Sequence, residues 1–172
     1  SQDQKVWRPW GPTWPADPGT RTEPFFHPPA GLDQSRPEED GDVAVVVDLT
    51  GRSNTAECAA AVQARKSHRA VRHVHITARK TGQLAISVPA DADKAASELE
   101  GLIQQTAEAL PNATLHFFYY GPLAILIRAS CRMGRRRSTL IVYEAVKLQG
   151  EWRPVPAMAF PQGKLRIGEG AP

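Results

Sequence analysis

Residues 115–137 read LHFFYYGPLAILIRASCRMGRRR, and the way this stretch divides decides the fold. An apolar and aromatic run stops at Gly121-Pro122 and restarts at once as a second apolar run ending in three arginines. Leu115 to Tyr119 has the composition of a central strand. Gly121 permits a sharp exit and a close backbone approach from outside. Pro122 fits the first position of a helix, where its missing N–H costs nothing. Leu123 to Met133 then forms that helix, apolar nearly all round at its start and so expected to be buried. Its first N–H groups point beyond the carboxyl end of the strand, which favours an anion, phosphate above all.

A second stretch repeats the design. Val43 to Leu49 (VAVVVDL) is a nearly continuous β-branched run, the habit of a parallel strand buried on both faces. It ends in Thr50-Gly51-Arg52-Ser53-Asn54, again a loop leading to a helix. Asn54 with Glu57 three residues on is a capping pair, and the helix is expected to run to about Lys66 with Cys58, Ala61, Val62 and Ala64 inward. In open α/β sheets ligands occupy the crevice beyond the carboxyl ends of the strands. If the two strands are neighbours, one pocket forms from both loops. It would hold Thr50, Gly51, Arg52, Ser53 and Asn54 from the first loop and Tyr119, Tyr120, Gly121 and Pro122 from the second. The competing reading is that each strand-glycine-helix junction is purely structural.

The remaining pattern completes the layout. Eight of the 15 prolines precede Gly41, and that segment has no period of 2 or 3.6. Trp7, Trp10, Trp14, Phe25 and Phe26 make it too apolar for a solvated linker. It is expected to be an irregular arm over residues 1–41 that wraps the domain and pins itself with those rings. Arg72 to Ala78 alternates, ARKTG follows as a turn, and Gln83 to Val88 is expected to return as the second strand of a hairpin. Asp91 or Asp93 starts a helix with Ala95, Leu99, Leu102, Ile103 and Leu110 at helical spacing, stopped at Pro111-Asn112. Strands follow over Thr139 to Val146 and near Trp152 to Met158, with a turn at Gln149-Gly150. The domain body spans 42–160 and a loose tail 161–172. The fold class is α/β: a Rossmann-like, mainly parallel sheet with helices on both faces.

Composition narrows the partners. A net charge of +3 on 172 residues favours anionic ligands but is far too weak for coating duplex nucleic acid. Cys58 and Cys131 form no C-x-x-C pair, and the simplest reading is two reduced thiols in a cytoplasmic protein. No signal peptide is evident, the Gly-Pro break makes 115–127 too interrupted to span a bilayer, and the opening Ser-Gln-Asp suggests a piece of a longer polypeptide.

Catalytic signals are sparse. No cofactor is expected, since G-x-G-x-x-G and the Walker A lysine are both missing. His73 and His75 share one strand face as a candidate metal pair, without a Cys, Asp or Glu at ligand spacing. Asp48 stands where it could orient Arg52 or cap a turn. Arg135, Arg136 and Arg137 either complement a helix C-terminal dipole in a solvated turn or meet an acidic partner such as Glu38-Glu39-Asp40 of a neighbouring copy.

The segment HFFYYGPLAILIRASCRMGRRRSTLIVYEAV resembles the C-terminal signature of SAVED domains, and VAVVVDLTG resembles the family's first central strand with its Thr-Gly exit. The Trp-rich approach is similar to the family's variable lead-in. The resemblance implies a CARF-like sensor of cyclic oligonucleotides in bacterial anti-phage defence (CBASS or type III CRISPR). The implied ligand is a cyclic di- or trinucleotide. The implied partner is a fused or associated effector, whether nuclease, TIR domain, protease or membrane segment, with homo-oligomers forming on ligand binding. By position, Thr50, Gly51 and Arg52 match the first pocket loop and Tyr120, Gly121 and Pro122 the second. Two classes of function stay open: a binding module without chemistry, and a ring-nuclease-like phosphodiesterase. The lack of a convincing general base favours the first.

Overall fold

The computed structural model describes residues 23–32, 41–65, 71–82, 86, 89–132, 139–148 and 150–160. They form β1 (Asp42–Asp48), α1 (Thr55–Arg65), β2 (Arg72–Thr77), α2 (Pro89–Ala109), β3 (Thr114–Tyr120), α3 (Leu123–Arg132), β4 (Thr139–Leu148) and β5 (Glu151–Phe160). The five strands make one sheet in the order β2-β1-β3-β4-β5. The first four are parallel and β5 returns antiparallel to β4. The strand order reverses between β1 and β3, so these two flank the topological switch point.

Alternation along each strand sorts the side chains into two layers. Val43, Val45 and Val47 of β1, Val74 and Ile76 of β2, and Leu115 and Phe117 of β3 face one core. Ala95, Ala96, Leu99 and Ile103 of α2 and Ile125 and Ala129 of α3 cover it. Ala44, Val46, Phe118 and Tyr143 face the other layer, closed by Cys58 and Val62 of α1. A run apolar at every position is what a strand sandwiched between helices requires. One buried polar group interrupts the second layer. His116 receives or gives hydrogen bonds at both ring nitrogens, with Tyr143 Oη at 2.9 Å and Asp42 Oδ1 at 2.7 Å, so β1, β3 and β4 are joined there. Cys58 is a free, buried thiol, and burial pushes its pKa up.

The arm's rings behave as their apolarity demands. Phe25 and Phe26 are fully buried and pack edge to face. Their backbone N–H groups both donate to the Glu98 carboxylate of α2, at 2.5 and 3.1 Å. Next to them the chain runs antiparallel along the outer edge of β2: Ala30 and His75 exchange two backbone hydrogen bonds of 2.8 Å, and His27 N–H donates to Thr77 O at 2.9 Å. The arm therefore covers an edge that would otherwise offer unpaired backbone groups. At the opposite edge β5 carries Pro154 and Pro156, opposite Ala145 and Tyr143. Prolines belong on edge strands, where no further ladder is needed.

Several expectations change. The α3 helix is not buried all round: Leu123 is 64% and Ile127 52% exposed. Among the described residues, Ile125 and Ala129 of α3 are buried in the core, with Leu126 packed against it, and the helix lies on α2. A contact from Arg128 to Asp93 ties the two helices at the surface. Pro122 precedes the helix rather than opening it, since α3 begins at Leu123. The α2 helix starts at Pro89, ahead of Asp91. β2 pairs with β1 in parallel, and its outer edge is taken by the arm. The proposed return strand over Gln83 to Val88 lies outside the described residues apart from Ile86, which is in no strand. The same is true of Trp7, Trp10, Trp14, Glu38 to Asp40, Arg135 to Arg137 and the tail from 161.

Candidate functional site

β1 and β3 are adjacent, and their last residues are level, Asp48 beside Tyr120. Both loops of the expected pocket thus leave the sheet side by side, and Leu49 N–H donates to Tyr120 O at 2.8 Å across the join. The sequence-predicted residues are brought together. Much of their hydrogen-bonding capacity, however, is spent on the protein itself.

Asp48 is the reason on the β1 side. This nearly buried carboxylate folds back over its own loop. Oδ1 accepts from Thr50 N–H at 2.8 Å, Thr50 Oγ1 at 3.0 Å and Gly51 N–H at 2.8 Å; Oδ2 accepts from Ser53 N–H at 3.1 Å. Burial alone would raise the Asp48 pKa. Hydrogen bonds from Ser53, Thr50 and Gly51 outweigh it and hold the carboxyl below its ordinary value. The loop is an anion nest already filled by the chain's own anion. The Thr50 hydroxyl also accepts Arg52 N–H at 3.2 Å, while the Arg52 side chain is exposed. Of the two roles open to Asp48, it fills the turn-capping one. Asn54 caps α1, its Oδ1 accepting Glu57 N–H at 3.3 Å. With Glu57 in its first turn, the N-terminus of α1 is compensated from within.

On the β3 side the two tyrosines diverge. Tyr119 stacks over Phe117, with centroids 6.5 Å apart, and turns back so that its hydroxyl donates to Pro122 O at 2.9 Å. Gly121 makes room for this. A Cβ built there would lie 2.8 Å from Tyr119 Oη, 2.9 Å from its Cζ and 3.0 Å from Leu49 Cδ1. The space above Gly121 is therefore filled by the chain's own ring. Tyr120 points to the other layer, its hydroxyl 3.4 Å from Cys58 Sγ and bonded by the Asn54 backbone. Burial raises the pKa of both hydroxyls. The first turn of α3 holds no acidic residue of its own, whereas that of α1 holds Glu57.

A third loop, the ARKTG stretch with the composition of a hairpin turn, belongs to the same edge. After β2 the chain passes directly beside the β1 loop: Ala78 N–H donates to Asp48 O at 3.0 Å and Gly82 N–H to Leu49 O at 2.9 Å. Gly51, at φ +72°, faces Thr81, whose Oγ1 would stand 3.0 Å from any Cβ at that position. Arg79 and Lys80 are exposed. The signal available in advance was the pair of cations in ARKTG. His73 and His75 do share the face of β2 opposite Val74 and Ile76, and burial, with His73 nearby, lowers the His75 pKa. No cluster of three or more metal-ligating side chains occurs among the described residues.

Residues 1–158 match the family model described as SAVED, the SMODS-associated and fused to various effectors sensor domain. No curated relative matches. Among solved structures the chain is similar to the Acinetobacter baumannii Cap4 SAVED/CARF-domain containing receptor with the cyclic trinucleotide 2'3'3'-cAAA. The TM-score is 0.55 at 12% identity, over 80% of this chain and 28% of that one. The same receptor with 3'3'3'-cAAA gives a TM-score of 0.43 at 13% identity, over 78% and 28% of the two chains. The chain thus spans little more than a quarter of the solved receptors it resembles. No helix among the described residues is long and apolar enough to cross a membrane.

Proposed function

The chain belongs to the SAVED family of effector-associated sensor domains, and we propose that it binds a cyclic di- or trinucleotide at the carboxyl edge of β1 and β3 and returns it unchanged. One observation carries this reading. The two strands on either side of the switch point are direct neighbours, level at Asp48 and Tyr120, and three loops leave the sheet together there. That is the place where open α/β sheets hold nucleotides. Its open feature is the exposed Arg52 side chain, a charge suited to phosphate.

The module's role is recognition rather than turnover. The carboxylate nearest the edge, Asp48, is locked into four hydrogen bonds and stays ionised. It is a poor proton acceptor for a phosphodiester reaction. Signal output passes to an effector, fused or separate, through assembly of several copies. Light scattering with and without ligand tests that step.

Thermal shift against cyclic di-, tri- and tetranucleotides, followed by chromatography of the recovered ligand, tests the reading. Selective binding to the folded state adds about 2.7 kcal/mol at roughly a hundredfold excess over Kd. A raised Tm with intact ligand is expected. A linear product would instead identify a phosphodiesterase.

A further inference from the structure

We propose that the loop between β2 and α2 supplies the phosphate-facing charge of this site, through Arg79 and Lys80 with Thr81 beside them. The inference rests on the cyclic-oligonucleotide reading and adds to it a set of contacts. It begins from a shortage. A cyclic oligonucleotide carries one negative charge per phosphate, and the β1 loop was the natural cradle for one of them. Asp48 has already taken the N–H groups of Thr50, Gly51 and Ser53 in that loop. A phosphate approaching it would meet a carboxylate instead of amides. Arg52 is the one basic side chain that the β1 loop contributes. The balance of charge has to come from a neighbouring loop.

The β2–α2 loop is the neighbour, and its placement is fixed from both sides. Ala78 and Gly82 are bonded to the backbone of Asp48 and Leu49, and Arg79 N–H donates to Phe25 O at 3.0 Å. The backbone carrying the two cations is held between the arm and the β1 loop, while both side chains remain exposed. Contact between the loops is close: a Cβ at Gly51, which holds φ +72°, would lie 3.0 Å from Thr81 Oγ1. A rigid backbone with exposed cations is pre-organised for an anion and loses little entropy on binding it. Such a site reads the phosphate ring by charge. Its affinity must fall as salt rises.

The test compares wild type, Arg79→Gln, Lys80→Gln and Arg128→Gln, the last removing an equal charge further along α3. Two probes are titrated at low and high salt: the panel of cyclic di-, tri- and tetranucleotides, and inorganic tripolyphosphate. The expected result is a loss of about tenfold or more in affinity for Arg79→Gln and for Lys80→Gln, the scale of one charge-assisted hydrogen bond. A flatter salt dependence accompanies it, and Arg128→Gln stays near wild type. Unchanged melting curves for the unliganded variants exclude misfolding, and Phe25 O keeps its bond because only side chains change. If wild type binds a cyclic nucleotide and the two variants bind it equally well, the loop assignment is overturned while the proposed function stands. If tripolyphosphate binds through Arg79 and Lys80 but no cyclic nucleotide does, the anion site stands and the cyclic-oligonucleotide reading falls. Binding of neither probe overturns both.

Discussion

The carboxylate of Asp48 accepts the backbone N–H of Gly51 at 2.8 Å, so the turn that follows β1 is tied by an acid from the strand itself. Replacing it by asparagine keeps the shape. The amide nitrogen then faces either Ser53 N–H or the Thr50 and Gly51 donors, and at least one hydrogen bond becomes a donor–donor clash. The cost of Asp48→Asn is about 1–3 kcal/mol. Its pH dependence has a definite sign. The folded pKa lies below the ordinary value of 3.8, so the stabilisation is complete above that value and disappears as pH falls through the depressed one. Melting temperatures of both proteins from pH 7 down to pH 2 should therefore converge only at the acid end.

The space above Gly121 is occupied by the Tyr119 ring and Leu49. The φ of Gly121 is not positive, but a methyl group would strike the Tyr119 ring and Leu49. Gly121→Ala is expected to cost about 1–3 kcal/mol by overpacking. Gly121→Asp costs more, in place of the small loss expected if that space were empty. Tyr119→Leu in the same chain should recover part of the loss. A double-mutant cycle from urea unfolding reads this as a coupling of about 0.5 kcal/mol or more. Strict additivity contradicts the packing account.

Gly31 locks the arm to β2. It holds φ +83°, and a Cβ there would sit 2.2 Å from His73 O. Gly31→Ala combines left-handed strain of about 1–2 kcal/mol with a backbone collision, and should detach the arm at this point. Hydrogen exchange checks it directly: the Ala30 and His75 amides, paired in the wild type, lose protection while those of β3 retain theirs.

The two site tyrosines resist ionisation, Tyr119 through burial, Tyr120 through burial and then its bond to Cys58. Their folded pKa values lie above the ordinary value of 10. Their contribution to stability is complete below pH 10 and fades as pH rises beyond it. Ultraviolet titration of the native protein should leave both unionised through pH 10, with their absorbance change appearing only on alkaline unfolding. Tyr120→Phe removes the hydroxyl's bonds to Cys58 and to the Asn54 backbone and costs about 0.5–1.5 kcal/mol.

What could be read in advance followed the backbone pattern. The unbroken β-branched run of 43–49 and the Gly-Pro break at 121–122 located two central strands and their exits. The capping pair Asn54 and Glu57 marked the start of α1, because these signals are local. Less was legible wherever a distant partner decides. ARKTG has the composition of a hairpin turn, and only the pairing of β2 with β1 makes it a wall of the site. Asp48 was legible as a residue that could cap the turn or orient Arg52, and the folded loop decides for the first, its carboxylate taking the amides of Thr50, Gly51 and Ser53. The exposure of Leu123 and Ile127 depends on which neighbours α3 has, and apolarity alone misjudged it.

The central claim concerns where a cyclic oligonucleotide sits. Amide chemical shifts of the isotope-labelled protein, followed while 2'3'3'-cAAA, 3'3'3'-cAAA and cyclic dinucleotides are added in turn, test it most directly. The account predicts that at least one of these ligands shifts the amides of residues 49–54, 79–82, 119–121 and 123 together, leaving Asp42, Thr114 and His116 at the far end of the sheet unmoved. Perturbations centred on that far end, or none with any ligand, would contradict it.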